Sequence, residues 1–370
     1  MEESVKKTKL RLVLCALVWI AAFFFLQALF MPKYMSAIPD GALVREYYAE
    51  TAPHDVIFIG DCEVYENFSP ITLWEEYGVT SYVRGSPQQL IWQSYYTLED
   101  TLKRETPKAV VFNVLSMKYD EPQSEAYNRM ALDGMPLSRT KLQAARASML
   151  PEENLLDYIL PFFRYHSRWS QLEPEDFQYL FHRDQVSHSG FLMRADTSAA
   201  GDLPAPKKLA NYQFSDICYQ YLDRMRLLCQ EKGVQLILIK APSLYPYWYE
   251  EWDAQIEEYA AEHGLLYLNF LERLEEIPID FSQDTYDRGL HLNLAGAEKL
   301  ASYFGRILTA DCGLPDRRQD PEIAAVWAEK TARYNDRKEA QHRELAVYGY
   351  LTRATAPGSQ HPALPADTLQ

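Results

Sequence analysis

Short apolar runs recur along this chain, separated by longer stretches of helical periodicity. Val56-Ile-Phe-Ile59, bounded by Asp55 and Gly60, is a compact β-branched run stopped by glycine, and it reads as a buried strand over 55–60. Comparable runs lie at 79–83, 109–115, 234–240 and 265–270. Between them, helical patterns occupy 69–77, 87–104, 214–232, 252–263 and 294–309. Strands that alternate with helices predict an α/β protein with a parallel sheet covered on both faces. The last helix is the most sharply drawn. Ala297, Leu300, Ala301, Phe304, Ile307 and Leu308 make one apolar stripe, and Asn293 is placed to cap it.

The alternation breaks over 119–208, a segment rich in Tyr, Phe, His and Arg with helical stretches at 138–149 and 151–163. Two readings are open for this insertion: a cap that shapes a site at the sheet's carboxyl edge, or a peripheral subdomain with no part in chemistry. Beyond the core domain at 55–310, residues 311–370 change character. Mixed charges on a weakly amphipathic pattern predict a helix over 321–345, and the Ala, Pro, Gly, Ser and Gln-rich 353–370 predicts a disordered tail.

At the other end, residues 12–31 are almost wholly apolar, Gln27 being the one markedly polar member. About 20 such residues suffice to cross a bilayer as a helix. Lys6, Lys7, Lys9 and Arg11 precede the run and only Lys33 closely follows it, so residues 1–11 are expected in the cytoplasm and the main domain outside. A cleaved signal peptide is the competing reading, but the run is longer than a usual signal core and lacks a small-residue cleavage pattern. Residues 32–54 would then form a stalk.

The chain has 370 residues, 47% of them apolar, and a formal net charge of −15. That acidity argues against a nucleic-acid partner, because phosphate binding needs clustered Lys and Arg. Five cysteines and eight histidines show no zinc spacing, so no metal and no cofactor is expected. Cys218 and Cys229 fall on one predicted helix, ~16 Å apart at ~1.5 Å per residue, too far to bridge.

Chemistry enters with two motifs. Ile59-Gly-Asp-Cys62-Glu-Val-Tyr65 places a thiol on the turn leaving the first strand, and Asp287-Arg-Gly-Leu-His291-Leu-Asn-Leu-Ala-Gly296 opens the last helix with a histidine. Open α/β sheets place ligands at the carboxyl ends of their strands. Cys62 alone reads as a small buried residue and His291 alone as a helix-flanking one; as a pair they read as nucleophile and base.

The combination resembles the SGNH (GDSL-like) hydrolase and acyltransferase superfamily over roughly 55–118 and 209–310. The resemblance implies a flavodoxin-like, five-stranded parallel sheet and an esterase or O-acyltransferase with Cys62 as nucleophile, His291 as base and Asp287 as the acidic partner. Asp287 lies four positions before His291 where the family has three, and Asp284 is the alternative. The family's oxyanion donors map onto the Cys62 amide, the Gly85 amide and Asn113, with Ser116 as the alternative to Asn113. Arg84, Gln88 and Lys240 are expected to bind substrate, with Glu63, Gln89 and Ser243 on the same edge; for Lys240, neutralising a carboxylate in the site and a strand-end lysine whose stem lies on apolar surface are the open alternatives. The aromatic cluster 245–252 either stacks a sugar or packs the cap. An imidazole-assisted thiol should have a pKa below the free value of ~8.5. Among membrane-anchored relatives are transferases that act on envelope polymers, so the expected substrate is an acyl group of a bacterial cell-envelope glycan. A catalytically inactive glycan-binding relative and an envelope scaffold are the rivals.

Overall fold

The computed structural model describes residues 2–32, 43–183, 185–201, 203 and 205–352. Five strands, β1 (Val56–Gly60), β2 (Ser81–Gly85), β3 (Ala109–Asn113), β4 (Gln235–Lys240) and β5 (Leu266–Asn269), form one parallel sheet in the order β2-β1-β3-β4-β5. Each predicted strand is present. Two are displaced for local reasons. β2 starts at Ser81 because Gly78, at φ 68°, caps the preceding helix and the Thr80 carbonyl accepts the Asp55 and Val56 amides. β3 stops at Asn113, where a 3-10 turn, Val114–Lys118, takes over.

Period-2 alternation sorts the strand residues onto two faces. Ile57, Ile59, Tyr82, Val110, Phe112, Leu236 and Leu238 pack against helices Ile91–Thr101, Asp216–Lys232 and Glu250–His263. Val56, Phe58, Val83, Val111, Ile237 and Ile239 pack against Pro70–Tyr77 and Leu294–Ala310. Asn293 caps the latter helix through the Gly296 amide, as its position in the sequence suggests. Cys218 and Cys229 are free and buried on the first face.

The charged helix after residue 310 extends over Pro321–Tyr348 and joins the second face rather than standing apart. Trp327 is fully buried and stacks on Trp74 at 5.2 Å, and Tyr334 bonds Ser69 and Glu298. Residues 43–54, expected in the stalk, also belong to the body: Leu43 and Tyr47 are buried, and Glu46 accepts the Val186 and Ser187 amides. The predicted tail at 353–370 and the first part of the predicted stalk, 33–42, lie outside the described residues.

In the insertion, Arg139–Ser148 forms as expected, whereas 151–163 divides into Leu155–Ile159 and Phe162–Tyr165 around Pro161, which cannot continue a helix. The insertion's return runs along the sheet edge. Val83 donates to the Ser189 carbonyl at 2.9 Å, and Leu192 donates to the Tyr65 carbonyl at 2.8 Å. Among the described residues one helix, Val5–Phe30, is long and apolar enough to cross a membrane. Only 6% of its apolar window is buried inside the protein, unlike the core helix of a soluble fold.

Candidate active site

β1 and β3 are neighbours between which the direction of the crossovers reverses, so their carboxyl ends open a crevice. Cys62 lies there, at the start of the four-residue helix Cys62–Tyr65, capped by Asp61 through the Glu63 amide at 3.2 Å. Two glycines let the turn close up. A Cβ on Gly60 would fall 2.4 Å from Val64 Cγ2, and one on its register partner Gly85 would fall 2.9 Å from Tyr65 Cδ1 and 3.1 Å from the Asp61 carbonyl oxygen.

The histidine arrives from the opposite end of the chain. Arg288 and Gly289 adopt φ of 67° and 99°, a left-handed pair in the turn between Asp287 and His291. Asp287 Oδ1 accepts the His291 amide at 2.8 Å, and Oδ2 lies 2.6 Å from Nδ1. A carboxylate only accepts, so Nδ1 carries a proton and Nε2 is left for chemistry. Nε2 is buried without a hydrogen-bond partner among the described residues. Asp284, the alternative partner, is buried on Lys299 at 2.6 Å instead.

A second carboxylate faces the same imidazole. Glu66 Oε2 is 3.7 Å from Nδ1, and the Tyr286 hydroxyl, 3.5 Å from Nδ1, donates to Glu66. Burial alone would lower the His291 pKa. The charge of Glu66, that of Cys62 once it ionises, and that of Asp287 outweigh it and hold the imidazole well above its ordinary value.

Cys62 is half-buried and free. Its thiol departs from the sequence expectation. Burial pushes it up to about 11; His291 opposes that rise, while Asp61 and Glu66 add to it. The two groups therefore act on each other, but a protonated thiol, not a preformed thiolate, rests beside the imidazole near neutral pH.

Three predicted site residues are committed elsewhere. Lys240, fully buried, places Nζ 3.0 and 2.9 Å from the Glu63 carboxylate and 2.7 Å from the Ala241 carbonyl, so it is not available to substrate. Asn113 gives its amide hydrogens to Asp61 at 3.2 Å and Glu63 at 2.9 Å and accepts the Ala241 amide, leaving none for an oxyanion. Arg84 is buried against Thr97, Asp100, Thr101 and Tyr48, with its guanidinium 3.9 Å from the Tyr47 ring centre. Gln88 is half-buried on the turn after β2, at φ 47°. Ser116, the alternative to Asn113, is buried with Oγ unpartnered among the described residues. In the 245–252 cluster, Trp248 and Trp252 pack on Phe214, which is the packing alternative; Tyr247 is exposed.

Sequence reasoning passed over Glu66, Tyr286 and Lys118. Glu66 stands four positions after Cys62, one helical turn, and that spacing was the available signal. Lys118 ends the 3-10 turn after β3. Burial pulls it down to about 8, against the upward pull of Asp61, Glu63 and Cys62. Asp61 itself is pushed up to about 6 by burial and by Glu63. Burial pushes Tyr119 and Tyr127 up, and ionisation of Cys62 would add to the rise at both, so the insertion's first residues lie within electrostatic reach of Cys62. A separate carboxylate group, Asp253, Glu257 and Glu272, gathers ligand atoms within 4.8 Å, but Asp253 already accepts from Trp248, Tyr267 and Asn269.

No protein-family model matches this chain, and no curated protein matches it.

Proposed function

We propose that the chain is a membrane-tethered SGNH-like enzyme with a flavodoxin-like sheet, acting as an esterase or O-acyltransferase on acyl groups of a cell-envelope glycan. The observation that carries this reading is His291: Nδ1 is fixed on Asp287 at 2.6 Å while Nε2 is unpartnered among the described residues, and the imidazole biases the thiol of Cys62 toward its anion. A base oriented at one nitrogen and open at the other, beside a thiol at a strand switch point, is the arrangement acyl transfer requires.

In this mechanism the neutral form of the imidazole, a fraction that grows with pH because the surrounding carboxylates hold its pKa up, takes the proton from Sγ as sulfur bonds to the acyl carbon. The carbonyl electron pair moves to oxygen, where the Cys62 amide, at the first position of its short helix, and the Gly85 amide receive it. Collapse of the tetrahedral species breaks the bond to the leaving oxygen, which takes the proton from imidazolium and leaves a thioester. Water or a sugar hydroxyl then repeats the steps in reverse. The amino terminus is assigned to the cytoplasm and the body to the outer side, on the basic residues before the apolar helix.

The test is turnover of p-nitrophenyl acetate by the full chain in mild detergent, with intact-mass analysis of the quenched enzyme. A transient acetyl adduct on Cys62 is expected, and none on Cys62→Ala. Wild-type turnover by Cys62→Ala would sink the proposal. The high thiol pKa favours one rival, a glycan-binding relative without turnover; retention of envelope glycan by a chain that forms no adduct would select it.

A further inference from the structure

We propose that the insertion carries a membrane-interface surface, an aromatic patch that enters the outer leaflet of the bilayer crossed by the amino-terminal helix. This rests on that helix being a span. Its last two turns dock on the insertion. The Phe162 ring lies 5.0 Å from that of Phe23 and 5.8 Å from that of Phe30, and Arg168 Nη1 donates to the Phe30 carbonyl at 2.7 Å. Phe23 and Phe30, seven residues apart, lie on one helical face and span ~10 Å along the axis. Phe162 therefore sits alongside the helix below its end, not beyond it.

The level of the lipid follows. On the helix's outer face in these same turns, Phe24, Phe25 and Leu26 are exposed, and in a spanning helix they meet acyl chains. Beside Phe162 the insertion exposes Phe163, Trp169, Phe177 and Phe181, the last at 86% and Trp169 at 70%. Phe177 and Phe181 are one turn apart on Pro174–Phe181, so that helix turns an aromatic edge outward. Exposed aromatics adjoining a span at the height of its terminus match the chemistry of a lipid interface, where amphipathic and aromatic rings concentrate. The patch is continuous with the surface of the helix itself, and that continuity selects lipid over a second protein as the occupant.

The tryptophans make the test. Of seven, Trp19 in the helix and Trp169 in the patch are exposed, and Trp74, Trp92, Trp248, Trp252 and Trp327 are buried. The full chain is placed in nanodiscs of phosphatidylcholine with brominated or ordinary acyl chains, and the loss of emission caused by bromine is read. In Trp19→Phe a loss is expected, and in Trp19→Phe/Trp169→Phe it should disappear. No loss in Trp19→Phe, or an equal loss in the double variant, overturns the proposal. Trp169→Phe reports the helix alone: if its emission is quenched while that of Trp19→Phe is not, the span stands and only the patch fails; if neither is quenched, the span fails as well.

Discussion

Asp287 holds His291 at two points, accepting its backbone amide at 2.8 Å and facing its Nδ1 at 2.6 Å. One carboxylate thus sets both the path of the loop and the orientation of the ring. Asp287→Asn keeps a carbonyl oxygen for the amide but no longer matches a protonated Nδ1 with a full negative charge. Acetyl-ester turnover should fall ~10²-fold, the usual scale for one acid–base element, with little change in thermal unfolding. A variant as active as wild type would remove Asp287 from the chemistry.

The thiol supplies a pH prediction. Because burial holds Cys62 up to about 11, its thiolate fraction increases with each pH unit from neutrality upward. Alkylation of Cys62 by iodoacetamide should keep accelerating through pH 9 and 10, and His291→Ala should be slower still near neutrality, since the imidazole opposes the upward shift. Rates that level off below pH 8 would contradict the burial argument.

Glu63 and Lys240 form an ion pair closed off from water beside the turn that carries Cys62. Lys240→Met leaves a buried carboxylate unpaired and should cost about 3–5 kcal/mol, whereas Lys240→Met/Glu63→Gln should recover most of that loss. Thermal unfolding of the full chain in detergent compares the two. Equal destabilisation of single and double variants would show that the charge pairing is not what matters there.

Trp327 tests whether the carboxyl-terminal helix belongs to the fold. Its ring is fully buried against Trp74, so Trp327→Ala should cost about 3–5 kcal/mol. A change below ~0.5 kcal/mol, the range of surface substitutions, would mean that the helix is dispensable.

The sheet was readable in advance because Val56-Ile-Phe-Ile59 and its counterparts at β3 and β4 are unbroken apolar runs, the signature of strands covered on both faces. The placement of Cys62 and His291 was readable too, since each adjoins a strongly patterned element. What was hidden depends on contacts between distant segments. Nothing local shows that Lys240 meets Glu63, 177 positions away, or that Asn113 is consumed by carboxylates before a substrate could reach it. The helix at Pro321–Tyr348 read as a charged appendage because its buried residues are few; Trp327 and Tyr334 are large enough to anchor it regardless.

The bond from Arg168 to the Phe30 carbonyl, with Phe162 wedged against two turns of the same helix, also packs the domain directly on the apolar helix. A body on a leash samples every orientation; on the proposed reading of that helix as a span, one packed on it would inherit its inclination. Apolar helices accommodate a thinner or thicker bilayer by changing tilt. Under the function and span proposed above, membrane thickness would thereby steer the crevice at Cys62 toward or away from polymers lying at a given height, giving lipid composition mechanical leverage over which acyl groups are within reach.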